Sequence, residues 1–138
     1  MPDEIKQQER MVMAFDYGTR RIGVAIGNTL SKSGQALKTI EGSSEDMRFR
    51  AIEQLLKEWQ PNQLVVGLPC HPDGAEHEMS ARARRFGNQL LGRFGLPVEW
   101  VDERYSSVVL ESDSKMRDNL DAESAALILE QYFQEKIG

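Results

Sequence analysis

The stretch Met11-Val12-Met13-Ala14-Phe15-Asp16-Tyr17-Gly18-Thr19-Arg20-Arg21-Ile22-Gly23-Val24-Ala25-Ile26-Gly27 decides the fold. Its first five residues are a continuous apolar run, the pattern of a strand buried on both faces. The run ends in Asp16. Tyr17 to Arg21 reads as a turn, and Ile22 to Gly27 as a second strand. So short a gap predicts an antiparallel hairpin, because a parallel neighbour needs a longer crossover.

Downstream, Gln35 to Ile40 reads as a third, weaker strand. Ser44 is a candidate N-cap, with Glu45 and Asp46 in the first turn, where the helix dipole favours acids. Ile52, Leu55, Leu56 and Trp59 follow at helical spacing, and Pro61 closes the helix. Leu64 to Leu68 is a buried strand. Pro72-Asp73-Gly74 marks a loop. Ser80 to Phe94 is an amphipathic helix with Ala83, Phe86, Leu90 and Phe94 on one face. Val98 to Val101 is a strand running into Asp102-Glu103-Arg104. A weak helix is expected over Ser107 to Ser112, and a last one from about Asp121 to Gln134. A meander followed by alternating helices and strands predicts an α/β protein with a mixed sheet covered by helices.

The 138 residues correspond to about one domain. Met1 to Arg10 is polar and aperiodic and reads as a mobile extension, with a short helical turn as the alternative; residues 11–138 then form a single domain. With 40% hydrophobic and 28% charged residues, wholesale disorder is excluded. Lys+Arg number 17 against 22 Asp+Glu, a net charge of -5, which excludes a generically basic nucleic-acid coat protein but not a local basic patch. A single cysteine, Cys70, allows no internal disulfide and fits a reducing compartment. No apolar run approaches the roughly 18 residues of a membrane span and no signal peptide is visible, so a cytoplasmic protein without membrane association is expected.

Three carboxylates interrupt apolar structure. Asp16 ends a buried strand, where an ionised group is costly unless a cation or hydrogen bonds compensate; the plainer alternative is a turn residue bonding nearby backbone. Glu103 ends a second strand, with a surface ion pair to Arg104 as its alternative. In a sheet whose parallel strands end on one side, ligands gather at those ends, so Asp16 and Glu103 could face one crevice. Asp121 reads as a helix cap or first-turn residue. Yet Asp121, Ala125, Ile128 and Tyr132 follow i, i+4, i+7, i+11, which aligns the carboxylate with the apolar stripe. Three converging carboxylates would call for divalent metal: Mg²⁺ takes oxygen ligands, and two such ions serve phosphodiester hydrolysis. Other candidates are weaker. Cys70-His71 cannot readily present both groups to one atom, His71 and His77 lack zinc spacing, and Trp59 and Trp100 read as core or rim.

Asp16-Tyr17-Gly18-Thr19-Arg20-Arg21-Ile22-Gly23-Val24-Ala25 resembles the opening motif of the YqgF family of pre-16S rRNA nucleases, relatives of Holliday junction resolvases. Val65-Val66-Gly67-Leu68-Pro69 with Asp73-Gly74 resembles the second motif, Asp102 to Ser107 the third, and Asp121 to Glu130 the last, in the family's order over about residues 11 to 134. The resemblance implies a ribonuclease H-like fold, a five-stranded mixed sheet with its second strand antiparallel and helices flanking it. It implies a bacterial cytoplasmic nuclease using divalent metal, Mg²⁺ or Mn²⁺ and two ions, to mature the 5′ end of 16S rRNA. Asp16, Glu103 and Asp121 fall on the family's acidic catalytic and metal positions, with Asp102 a substitute for Glu103. The chain departs from the family between Tyr105 and Leu120, a shortened stretch holding only Lys115 and Arg117 as cations, which weakens the expected grip on substrate at that edge.

For nucleic acid, Arg20 and Arg21 adjoin Asp16 in one turn, and Gly18 and Thr19 could offer backbone or hydroxyl contacts to a phosphate; Arg104 adjoins Glu103. Arg82, Arg85, Gln89 and Arg93 form a stripe that could track phosphates or be a plain solvated face. Expected partners are RNA, precursor 16S rRNA and ribosomal precursor particles, with structured DNA a further candidate, for a monomer or homodimer. The leading function is a metal-dependent nuclease. A junction resolvase on four-way DNA, an ATP-binding domain suggested by Asp-x-Gly-Thr, and a non-catalytic binding module of ribosome maturation compete with it. The ATPase reading needs a second domain that 138 residues cannot supply.

Overall fold

The structure, a computed structural model, describes residues 10–18, 20–42, 44–69, 78–103 and 117–137, with the side chains of 69, 78, 103, 117–120 and 137 outside the description. In chain order it contains β1 (Met11–Tyr17), β2 (Arg21–Asn28), β3 (Gly34–Glu41), α1 (Glu45–Trp59), β4 (Gln63–Pro69), α2 (Glu78–Phe94), β5 (Val98–Glu103) and α3 (Arg117–Tyr132), which widens into a π-helical end over Phe133–Ile137. The helix expected over 107–112 and the extension before Arg10 lie outside the described residues.

The five strands form one sheet in the order β3-β2-β1-β4-β5. β2 is antiparallel to β1 and β3, while β4 is parallel to both β1 and β5. This is the mixed sheet with an antiparallel second strand that the hairpin predicts. The β2–β3 register slips at Val24/Ala25, where Val24 faces Lys38 and Ala25 faces Ala36, leaving Leu37 extra.

Strand alternation divides the core into two layers. Met13, Phe15, Ile22, Val24, Ile26, Leu64, Val66 and Leu68 pack against α1 and α2. Val12, Ala14, Ala25, Val65 and Val101 pack against α3. Ser44 caps α1, accepting from the Met47 N–H at 3.4 Å. The helix ends at Trp59 and Gln60 turns left-handed (φ 48°), just before Pro61. Trp100 lies against α2 at Gly87, where a Cβ would come within 2.6 Å of the indole, and its Nε1 donates to the Ala83 carbonyl at 3.3 Å.

The α3 layer is thin because its floor is paved with small residues. At Gly23 a Cβ would sit 1.8 Å from the Asp121 carbonyl oxygen, and at Gly34 it would sit 2.6 Å from the Ala126 carbonyl oxygen. Helix backbone therefore rests directly on strand backbone. Glu130 reaches back from α3 to accept the Gly34 N–H at 3.2 Å. No helix among the described residues is long and apolar enough to cross a membrane.

Gly23→Ala should cost at least about 1–3 kcal/mol, the scale of overpacking, because both clashing partners are backbone. Gly92→Ala, within α2 and with nothing within 4 Å of the added Cβ, should instead gain roughly 0.5–1 kcal/mol from helix propensity. Urea denaturation of the two variants checks both signs.

Candidate functional site

Asp16 is the sixth residue of β1 and shares the parity of Val12 and Ala14, which directs it to the α3 face. Its cross-strand partner is Gly23. Gly23 is also the seat of Asp121, whose backbone rests on it. Two acidic residues far apart in the chain thus adjoin one glycine, at the end where β1 leaves the sheet. Asp121 is half-buried, and its Oδ2 is shut off from solvent.

The helix carrying Asp121 begins at Arg117, four residues earlier than its sequence pattern suggests. Asp121 is therefore an interior residue on the sheet-facing stripe with Ala125, Ile128 and Tyr132, not the cap that the sequence also allowed.

Glu103 is the last residue of β5, in register with Pro69 of β4. Parallel β1, β4 and β5 all end at this edge. The Glu103 side chain lies outside the described residues, and among the described residues no group of three ligating side chains is assembled. Asp102 pairs with Leu68, whose side chain belongs to the α1/α2 layer, so it has the parity opposite to Val101 and is no substitute for Glu103 on the α3 face. Its carbonyl accepts from Gln131 Nε2 at 2.6 Å, which ties α3 to the end of β5 at the peptide leading into Glu103.

The turn after Asp16 is tight. A Cβ at Gly18 would lie 2.7 Å from the Arg21 carbonyl oxygen. Arg20 is exposed. Arg21 lies across from Glu41 and pairs with it, Nε to Oε2 at 3.4 Å, with both side chains solvent-accessible, so its charge is shared with that partner. Thr19 and Arg104 lie outside the described residues.

Arg82 and Arg85 are exposed on α2, whose apolar face covers the layer opposite α3. They flank the same end of the sheet but across it from Asp16 and Asp121. The stripe continues to Arg93, also exposed, whose guanidinium carbon lies over the Phe49 ring, 4.1 Å from its centroid.

One residue escaped the sequence reading. Arg48, in the first turns of α1, is only 7% exposed, and its Nη1 donates to the Gly18 carbonyl at 3.0 Å. The signal was available: Arg48 precedes Ile52, Leu55, Leu56 and Trp59 at helical spacing, on the apolar stripe. Beside the site, an open groove of about 430 Å³ runs between β3 and the first turns of α3, lined in part by Thr39, Ala122 and Glu123. Thr39 pairs with Gly23 and so lies in one cross-strand row with Asp16.

A five-stranded mixed sheet in the order β3-β2-β1-β4-β5 with β2 antiparallel to its neighbours is the ribonuclease H-like fold. Thermus thermophilus RuvC bound to a Holliday junction substrate superposes with a TM-score of 0.60 at 15% identity, covering 94% of this chain and 96% of that one. Thermus thermophilus RuvC in a second structure gives 0.57 at 13%, covering 93% and 96%. At these identities the likeness is one of fold. The RuvX Holliday junction resolvase family model matches residues 10–135, and the chain belongs to that family. A Polynucleobacter necessarius protein named "Putative pre-16S rRNA nuclease" is 72% identical over 123 residues, covering 89% of this chain and 84% of that protein. A Ralstonia pickettii protein of the same name is 58% identical over 127 residues, covering 92% and 89%.

Gln131→Leu should cost about 1 kcal/mol, the scale of one hydrogen bond with its acceptor left unmet. The loss should be concentrated at β5. Urea denaturation gives the total, and faster amide exchange confined to β5 and its neighbours gives the location.

Proposed function

We propose that this protein is a divalent-metal-dependent nuclease that hydrolyses phosphodiester bonds in processing the 5′ end of precursor 16S rRNA. The observation that carries the reading is the seating of Asp121 on Gly23, directly across from Asp16. The names of the relatives at 72% and 58% identity supply the substrate.

The donor set fits a hard cation: two carboxylates share one face at the strand ends, and a third belongs to the same edge in the chain. Hard divalent ions take oxygen ligands and keep waters and substrate phosphates, so Mg²⁺ or Mn²⁺ is the expected cofactor, as two ions. When bound, the metal neutralises charge on the phosphodiester and lowers the pKa of a water. Asp16, Asp121 on α3 and Glu103 at the end of β5 would hold the metal. Gly18, Thr19, Arg20 and Arg21, in the turn after Asp16, hold the substrate backbone, with Arg104 beside Glu103. Arg82 and Arg85 meet phosphates further out, where the strand passes over the sheet edge onto α2. The working compartment is the cytoplasm, with ribosomal precursor particles as the setting.

Hydrolysis of a DNA four-way junction is the second reading, favoured by the family to which the chain belongs. It requires a dimer with two symmetric sites, which a mass measurement in solution together with a junction-cleavage assay tests.

Asp16→Asn should lower cleavage of labelled single-stranded RNA and of a precursor 16S fragment by at least about 100-fold, more than loss of a supporting shell contact costs, with the fold unchanged by circular dichroism. Unchanged cleavage contradicts the assignment. In the absence of substrate, Mn²⁺ should raise the melting temperature of the wild type through preferential binding to the native state. Asp16→Asn should lose most of that rise.

A further inference from the structure

We propose that Arg48 is a positioning residue for substrate binding, holding the turn after Asp16 in the conformation that receives a backbone phosphate of a nucleic-acid strand. The proposal rests on the nuclease reading for the nature of the ligand. It concerns a residue outside all the motifs that define the family resemblance.

Arg48 occupies a poor place for a cation. It is the fourth residue of α1, near the positive end of the helix dipole, and it is the one buried cation among the described residues. A guanidinium is buried only where hydrogen bonds and apolar or aromatic contacts offset its desolvation. Those contacts all point to one place. Nη1 donates to the Gly18 carbonyl at 3.0 Å. The guanidinium carbon lies 5.7 Å from the centroid of Tyr17. The aliphatic stem passes Gly42, where a Cβ would meet Arg48 Cγ at 3.7 Å. Gly42 itself donates its N–H to the Arg20 carbonyl at 3.4 Å. The connection from β3 to α1 therefore grips both sides of the Tyr17–Arg21 turn through its backbone carbonyls.

Anchoring the Gly18 carbonyl on α1 withdraws an acceptor that would repel phosphate from the turn after Asp16. Arg48 does this without touching substrate, so its loss acts on binding and leaves the carboxylates in place. Such a residue changes KM more than kcat.

The test uses the full chain with Mn²⁺ and a labelled single-stranded RNA, measuring cleavage kinetics, binding by fluorescence anisotropy, and melting temperature. Arg48→Met should raise KM by about tenfold, the scale of one lost hydrogen bond to a charged donor, with kcat and the Mn²⁺ concentration for half-maximal rate unchanged. Arg48→Gln keeps an amide donor on a shorter stem; it should raise KM by about threefold and is the decisive variant if Arg48→Met does not fold. A folded variant of either kind with unchanged KM overturns the proposal, as does a fall confined to kcat or to melting temperature. If the wild type cleaves no RNA, the nuclease reading fails by itself. Anisotropy then decides for Arg48: about tenfold weaker RNA binding by Arg48→Met supports it, and equal binding overturns it.

Discussion

Helix α3 can bring Asp121 to Asp16 only because position 23 has no side chain. A Cβ there would lie 1.8 Å from the Asp121 carbonyl oxygen, well inside any contact distance. Position 23 is at once the cross-strand partner of Asp16 and the floor beneath Asp121. Sheet register and helix placement therefore meet in one contact between two backbones, which sets Asp121 beside the strand pair that carries Asp16. The small residues around it, Ala14, Ala25 and Gly34, extend the same close approach along the helix.

The two layers of the protein divide its labour. The α1/α2 layer holds the bulky core, with Phe86 in ring contact with both Phe15 and Phe49. It supplies rigidity and, through Arg48, grips the turn that follows Asp16. The α3 layer carries acidic groups over a floor of small side chains. Clustering carboxylates costs electrostatic energy in the free protein, and a site that binds cations recovers that cost only when they are bound. An acidic total charge is thus compatible with the proposed nuclease, in which metal and a few placed arginines would supply the positive charge.

Most of the fold was legible in residues 11–27, because a buried strand, a turn too short for a crossover and a second strand leave an antiparallel hairpin as the simple solution. The helices were legible from periodicity, with ends displaced by a few residues where caps gave no sharp signal: α3 starts at Arg117, not near Asp121. The stripe alignment of Asp121 was the sound clue, and the cap alternative failed because the helix begins about one turn earlier, at Arg117. On α2, Arg82, Arg85 and Arg93 are all exposed, as the stripe expects, and the contact of Arg93 with the Phe49 ring is a tertiary one that spacing cannot reveal. Arg48 went unread because a charged residue on an apolar stripe is ordinarily a solvated edge; only the structure shows its carbonyl partner.

The proposed nuclease stands on one cation site formed by Asp16 and Asp121 across Gly23. A crystal soaked in Mn²⁺ and measured for anomalous scattering should show a peak bonded to carboxylate oxygens of both Asp16 and Asp121, at the roughly 2.0–2.2 Å typical of small hard divalent ions. Absence of a peak at saturating Mn²⁺, or a peak on one of these residues without the other, would contradict it.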